Sequence, residues 1–441
     1  MLITTDQYRG MDRRAIWHPY TRHSAVEAGE FPVITRGEGV YLFDTEGNKY
    51  VDAISSWWAC NLGHNHPRLV EAIIRQAREL QHSILGNLSH TRAIELAMEL
   101  VSLFSEPSHV LFASDGASAV EAALKIAIQY WQNLGRGGRN RFVSLENAYH
   151  GDTLGAVSVG YLEGFHSPFE PVLFPAHRAE SPHCGHCRHA KEPASCNREC
   201  FDSISTIFEQ HAGELAAVIV EPLCQGAAGM RIYPPEYLGL LGRLCNEKDV
   251  LLIIDEIAMG FGRTGKMFAF QHVDIQPDII CLGKSLAGGY LPISATVVKD
   301  EIFETFRDKP EDRTFYHGHT FSGNPIAAAA ALETLRIYEQ EAIVEQAEQK
   351  GHLLKDQMAS FLGLPHVADV RCLGMIGAVE LDEDPWLAQS IREHLLVKGI
   401  LTRPLGNVVY LMPPLVTPED ILIRTVEALY NAVEECGRER G

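Results

Sequence analysis

The chain has 441 residues, 46% of them hydrophobic and 22% charged. That composition supports a large apolar core and excludes a disordered chain, a collagen-like repeat and a disulfide mini-scaffold. The formal net charge of −19 argues against a general nucleic-acid binder. It says little about small anions, which local backbone dipoles can hold.

At ~100–200 residues per domain the length suggests two or three domains. No apolar run reaches the ~20 residues of a membrane helix. The first twenty residues carry Asp6, Arg9, Asp12, Arg13 and Arg14 and no continuous apolar stretch, so a secretory signal is not expected. The ten cysteines are then expected to be reduced, in a cytoplasmic chain.

Gly39–Tyr41 and Lys49–Asp52 bracket Asp44-Thr45-Glu46-Gly47, which predicts a hairpin. Further along, His109–Ala113, Arg141–Leu145, Ala216–Val220, Val250–Asp255 and Asp278–Cys281 read as buried parallel strands, too apolar to be half-exposed. Ser118–Trp131 is helical: Val120, Ala123, Ile126, Ala127 and Tyr130 share one face. Tyr237–Lys248 is a second helix. This alternation predicts an α/β fold, a mostly parallel central sheet sandwiched by helices. The C-terminal stretch mixes Val370–Leu381, a helix near Pro385–Lys398, a short strand near Val408–Met412 and a final helix from Pro418. It reads as a smaller α+β unit. We expect residues 1–70 and 331–441 to build a small domain around a large one at 71–330.

Three segments carry the chemistry. In open α/β sheets, sites form beyond the carboxyl ends of strands. Asp255 ends one apolar run; Lys284 follows another and precedes Gly288-Gly289. Burial lowers a lysine's pKa and yields a nucleophilic amine suited to Schiff-base chemistry. Ser114-Asp115-Gly116-Ala117-Ser118 joins a strand to a helix, and small residues there let backbone N–H groups approach an anion. Each has an ordinary alternative: a solvated or ion-paired side chain, or a plain helix N-cap. Together they match the needs of a pyridoxal 5'-phosphate enzyme: an amine for the aldehyde, a carboxylate for the pyridine nitrogen and a cradle for the phosphate.

Asp255-Glu256-Ile257, Gly260-Phe-Gly-Arg-Thr-Gly265 and Leu282-Gly-Lys-Ser-Leu-Ala-Gly-Gly289 resemble the signature of class III, fold-type I aminotransferases, over about Trp17 to Pro414. The resemblance implies a homodimer with shared active sites. Lys284 would be the Schiff-base lysine and proton shuttle, and Asp255 the partner of the pyridinium. Tyr149 would stack on the ring, although a surface-loop aromatic is the plainer alternative, and Asp152 would support the site. Gly116 and Ala117 would take the phosphate, with alanine where many relatives have serine. Thr320 would reach the phosphate in the neighbouring subunit.

Ile16-Trp-His-Pro-Tyr-Thr21, Ser55-Ser-Trp-Trp-Ala59, Thr402-Arg-Pro-Leu-Gly406 and Tyr410-Leu-Met-Pro-Pro414 resemble the subgroup that aminates 8-amino-7-oxononanoate in biotin biosynthesis. This resemblance makes Arg403 the grip on the substrate's distal carboxylate, where a planar guanidinium suits a bidentate contact. Tyr20 and Trp57 would line an apolar slot, with Trp58 pointing away as the neighbour on a strand does; core packing is the alternative for the Trp pair. Gly318 and Tyr410 join the substrate positions. Ala258 stands where aminobutyrate-type relatives carry Gln, and Met259 where Thr is usual, which we expect to change packing. A tyrosine at 410 favours S-adenosylmethionine as amino donor over lysine. An ω-aminotransferase acting on another amine is the rival enzyme reading.

Cys184-x2-Cys187-x8-Cys196-x3-Cys200 lies in an insertion at about 175–200 to which the resemblance assigns no role. Four thiols so spaced suit one tetrahedral Zn(II), with an iron–sulfur cluster using the same ligands. His183, His186 and His189 are reserve ligands. The alternatives are unligated thiols, a labile disulfide, or a metal- or redox-sensing scaffold on an aminotransferase fold. Cys60, Cys224, Cys245, Cys281 and Cys372 read as small core hydrophobes.

Overall fold

The structure is a computed structural model that describes residues 3–28, 31–106, 108–192, 195–382 and 385–438. Residues 193 and 194 of the cysteine-rich insertion lie outside the described residues.

A seven-stranded sheet forms the centre. Its spatial order is Ser108–Ala113, Ser294–Lys299, Ile279–Leu282, Leu251–Asp255, Leu215–Val220, Arg141–Leu145 and His177–Ala179. All the neighbours from Ile279–Leu282 to His177–Ala179 pair in parallel. The inner strands Leu215–Val220, Leu251–Asp255 and Ile279–Leu282 are fully buried and, but for the terminal Asp255, apolar because both faces are covered. Phe142, Ala217, Ile219, Ile253 and Ile279 pack under Val120, Ala123 and Ala127 of the helix Gly116–Asn133. Val143, Val218, Val220, Ile254 and Ile280 belong to the larger core on the opposite face. The five expected strands agree with the structure to within a residue or two. Ser294–Lys299 was not anticipated: it runs antiparallel between Ile279–Leu282 and Ser108–Ala113.

Both ends of the chain share one sheet. The hairpin Tyr41–Asp44/Lys49–Asp52 continues from Ile34–Glu38, and Ile400–Leu401 adds in parallel to Lys49–Asp52. A second, antiparallel sheet joins Val367–Leu373, Ile376–Leu381 and Val408–Leu411. Arg263, fully buried, ties these parts to the central domain. Its guanidinium donates to Met375 O at 3.1 Å, Pro413 O at 2.6 Å and Asn61 Oδ1 at 2.5 Å. A buried guanidinium needs such partners, so the arginine of the Gly-Phe-Gly-Arg-Thr-Gly signature ties together segments that lie far apart in the chain.

One local expectation is corrected. Residues 55–58 do not form a strand: Ser55, Ser56, Trp57 and Trp58 all have φ between 45° and 71°. In this left-handed turn the two tryptophans do not alternate across a sheet.

Candidate active site

Strand register brings the chemistry together. Ile254 pairs with Val220 on one side and Ile280 on the other. Asp255, Glu221 and the turn leading to Lys284 therefore reach the same sheet edge. Lys284 opens a short helical turn, Lys284–Ala287, with a φ of 41°, a strained value for a non-glycine residue. Its ammonium lies 4.9 Å from the Trp58 ring centre. Burial lowers its pKa below the usual lysine value, outweighing Asp255, Glu221 and Asp152, which pull the other way.

Asp255 is buried and fixed from two sides. Its Oδ2 lies 2.7 Å from His150 Nδ1, and its Oδ1 accepts from Ile257 N at 3.1 Å. His150 is itself buried. Glu221 is a further buried carboxylate, accepting from Tyr149 N and Gly226 N at 3.0 Å each; burial pushes its pKa up to about 7. His150 and Glu221 were not singled out in the sequence. The only sequence hints were a histidine beside Tyr149 and a glutamate closing the run Ala216–Val220.

Tyr149 donates to Asp152 Oδ2 at 3.0 Å, and Tyr20 donates to the other oxygen of the same carboxylate. Burial, with Tyr20 and Asp152 alongside, raises the Tyr149 phenol pKa, so it stays a neutral hydroxyl. Tyr20 contacts Trp57 and Phe165 edge-on, at 5.8 and 5.3 Å between ring centres. Arg403 sits over Trp57 at 4.5 Å and donates to Tyr20 O at 3.4 Å. Together Tyr20, Trp57, Trp58, Tyr149, Lys284 and Arg403 line a cleft of about 430 Å³.

Both tryptophans thus face the cleft, which corrects the expectation that Trp58 points away. Tyr410 is placed differently from the sequence reading. It is 0% exposed, stands behind Trp58, and its hydroxyl accepts from Trp58 Nε1 at 3.1 Å. It can reach a substrate only through that ring. Met259 is buried, and its Cε and the Trp58 ring would each stand 3.2 Å from a Cβ placed at Gly226.

The cradle is narrow. Asp115 caps the helix Gly116–Asn133 by accepting from Ser118 N at 3.0 Å, leaving the first N–H groups of an 18-residue helix for an anion. A Cβ at Gly116 would stand 3.0 Å from Ile257, and one at Gly151 2.4 Å from Ala117 Cβ. Gly318 and Thr320 are exposed and do not line the cleft. Their neighbour His319 nevertheless lies 3.2 Å from Ser114 Oγ, beside the cradle.

Comparison with known proteins agrees with this geometry. Residues 23–433 match the aminotransferase class-III family. A protein of Methanocaldococcus jannaschii described as adenosylmethionine-8-amino-7-oxononanoate aminotransferase is 41% identical, over 96% of this chain and 97% of its own length. One of Geobacter sulfurreducens with the same description is 41% identical over 95% of each chain. The crystal structure of the M. jannaschii enzyme superposes with a TM-score of 0.93 over 98% of this chain and 99% of that one. The ω-transaminase of Pseudomonas jessenii in complex with PMP superposes at 0.92, with 32% identity over 98% of each. The family model spans most of the chain and the relatives match it along nearly their whole length, so the chain belongs to the class III aminotransferase family of pyridoxal-phosphate-dependent enzymes.

Proposed function

We propose that this chain transfers an amino group from S-adenosylmethionine to 8-amino-7-oxononanoate, giving 7,8-diaminononanoate, the transamination of biotin biosynthesis. Support comes from the full-length relatives of that description. The observation that carries it is Arg403, a cation at the wall of an aromatic slot that also contains Lys284. A long aliphatic substrate with a terminal carboxylate needs both an apolar wall and a guanidinium.

The residues fit pyridoxal phosphate. The narrow cradle at the helix N-terminus suits the phosphate, and Gly116 and Ala117 supply backbone donors without crowding it. The flat face of Tyr149 suits the ring. Asp255, held by His150 and Ile257 N, suits a protonated ring nitrogen. When bound, the cofactor supplies the aldehyde that accepts the amine and a ring that draws off carbanion charge. Lys284 would hold the cofactor and would carry the proton between the two carbons, and burial, which disfavours its charged form, suits that basic role. Trp57, Trp58 and Tyr20 exclude water from the reacting end, and Arg403 sets the register of the chain along the slot.

The same reading makes the active enzyme a cytoplasmic homodimer, with Thr320 and Gly318 working across the interface. Trp17, Tyr316 and Phe321, each at least 60% exposed in the single chain, are among the large apolar side chains left open to a partner. No described helix is long and apolar enough to cross a membrane.

Mass spectrometry of the product tests the assignment. The purified holoenzyme receives 8-amino-7-oxononanoate with either S-adenosylmethionine or lysine. Diaminononanoate from the first mixture alone is the expected result. Product from lysine alone would overturn the donor. No product from either, with the visible cofactor band intact, would transfer the assignment to an ω-amine substrate, the activity of the Pseudomonas jessenii neighbour.

A further inference from the structure

Between the strand His177–Ala179 and the helix Phe201–His211 the chain runs for more than twenty residues, among whose described members a three-residue turn, Cys184–His186, is the helical element. Segments of that length without secondary structure are unusual inside a compact domain. Yet this one makes specific contacts on both sides. Arg188 pairs with Glu146 at 2.7 Å and Arg198 with Glu236 at 3.4 Å on the large domain. His186 pairs with Glu380 at 3.0 Å on the C-terminal sheet. A Cβ at Gly185 would stand 2.3 Å from Asp369 Oδ2 of that sheet.

Cys184, Cys187, Cys196 and Cys200 all line one cavity of about 350 Å³, between this segment and Asn147, Arg231, Pro234 and Tyr237. None of the four is fully exposed. They arrive as two short arms: a turn carries Cys184 and Cys187, and the last residues before the helix carry Cys196 and Cys200. Arg198 donates to Cys196 Sγ at 2.9 Å, and Lys191, Arg188 and Arg231 line the same cavity.

We propose that the four cysteines form a structural Zn(II) site that staples this segment and, through it, the contact between the large domain and the C-terminal sheet. Two short thiol arms with a wide gap are the pattern of a closed tetrahedral site. Four thiolates around one Zn(II) carry a net charge of −2; the N–H···S bond from Arg198 to Cys196 eases it, while Glu180 and Glu199 line the same cavity and Arg188, Lys191 and Arg198 are each paired with a carboxylate. With all four positions taken by protein, the ion has no place for substrate and performs no chemistry. The arms must close further to bind: tetrahedral sulfurs on zinc stand about 3.8 Å apart. The described trio already within 4.8 Å of one another is His183, His186 and Glu380. That trio is a poor cation site, because Arg371 already holds Glu380 and Arg231 also lies close by.

The test uses the full-length holoenzyme, purified without chelator, and metal analysis. One zinc per chain is expected. Substitution by Co(II) should give the intense red-region bands of tetrahedral cobalt thiolate, clear of the cofactor's absorption. The double variant Cys187→Ser/Cys196→Ser should lose the metal and unfold at a lower temperature, and His183→Ala/His186→Ala should keep it. If the cysteine variant does not fold, the cobalt spectrum of the unaltered chain still decides. Zinc retained by the cysteine variant, zinc lost from the histidine variant, a weak octahedral cobalt spectrum, or stoichiometric iron with acid-labile sulfide after anaerobic purification would each overturn the proposal.

Discussion

Arg403→Ala separates the two halves of the proposed reaction. The guanidinium lies 4.5 Å above Trp57 and donates one weak bond, at 3.4 Å, to Tyr20 O. Most of its donors therefore remain for a substrate carboxylate. A hydrogen bond to a charged group contributes about 1.5–3 kcal/mol, and each 1.36 kcal/mol is a factor of ten in rate. Alanine should then lower kcat/KM for the oxononanoate half-reaction by about 10- to 150-fold. The donor half-reaction, followed by stopped-flow loss of the visible cofactor band, should change by about threefold at most, reflecting only the lost packing on Trp57. Arg403→Lys should recover part of the loss, because it restores charge without the planar fork. Equal losses in the two half-reactions would refute the assignment of Arg403 to the acceptor's carboxylate.

Other sites give equally direct expectations. Lys284→Ala should abolish multiple turnover while equilibrium dialysis still detects pyridoxal phosphate held by the cradle; retained turnover would remove Lys284 from the centre of the reaction. Gly151→Ala forces a φ of 122° on a residue with a Cβ and brings that Cβ to 2.4 Å from Ala117. At about 1–3 kcal/mol of strain, cofactor affinity measured by fluorescence titration should fall by about 5- to 150-fold, and an unchanged affinity would contradict the placement of the cradle. His64 Nε2 lies 2.8 Å from Asp52 Oδ2; burial disfavours its charge, but Asp52 and Cys60 together prevail and lift the pKa from 6.5 to about 9. While Asp52 stays ionised, this raised value makes the His64 contribution complete below pH 6.5 and lost as pH rises through 9. His64→Gln should therefore cost about 1–2 kcal/mol at pH 6, after allowance for solvent screening, and close to nothing at pH 10; denaturant titrations at both pH values would show a constant difference if the pair is not ionic.

The sequence by itself determined the parts of this protein that depend on short runs. The inner strands are legible because a strand buried on both faces is nearly all apolar, and each candidate residue ends its strand or follows it by two to four positions. Asp255, Lys284 and the Gly116–Ala117 cradle could thus be located one at a time. Their meeting at one edge required the parallel register, and that register is set by packing across the whole sheet. The strand Ser294–Lys299 was missed because its direction follows from its partners, Ile279–Leu282 and Ser108–Ala113, and not from its own residues. The bond from His150 to Asp255 spans 105 positions, and the one from Trp58 to Tyr410 spans 352; no local pattern encodes either. The left-handed turn at residues 55–58 overrides the preferences of two serines and two tryptophans. It is held by bonds such as Ser55 Oγ to Met412 O at 2.8 Å, far along the chain. Chemistry resides in single side chains and so could be read from the sequence. Orientation is a property of the groups packed against them, and only the folded chain decided it.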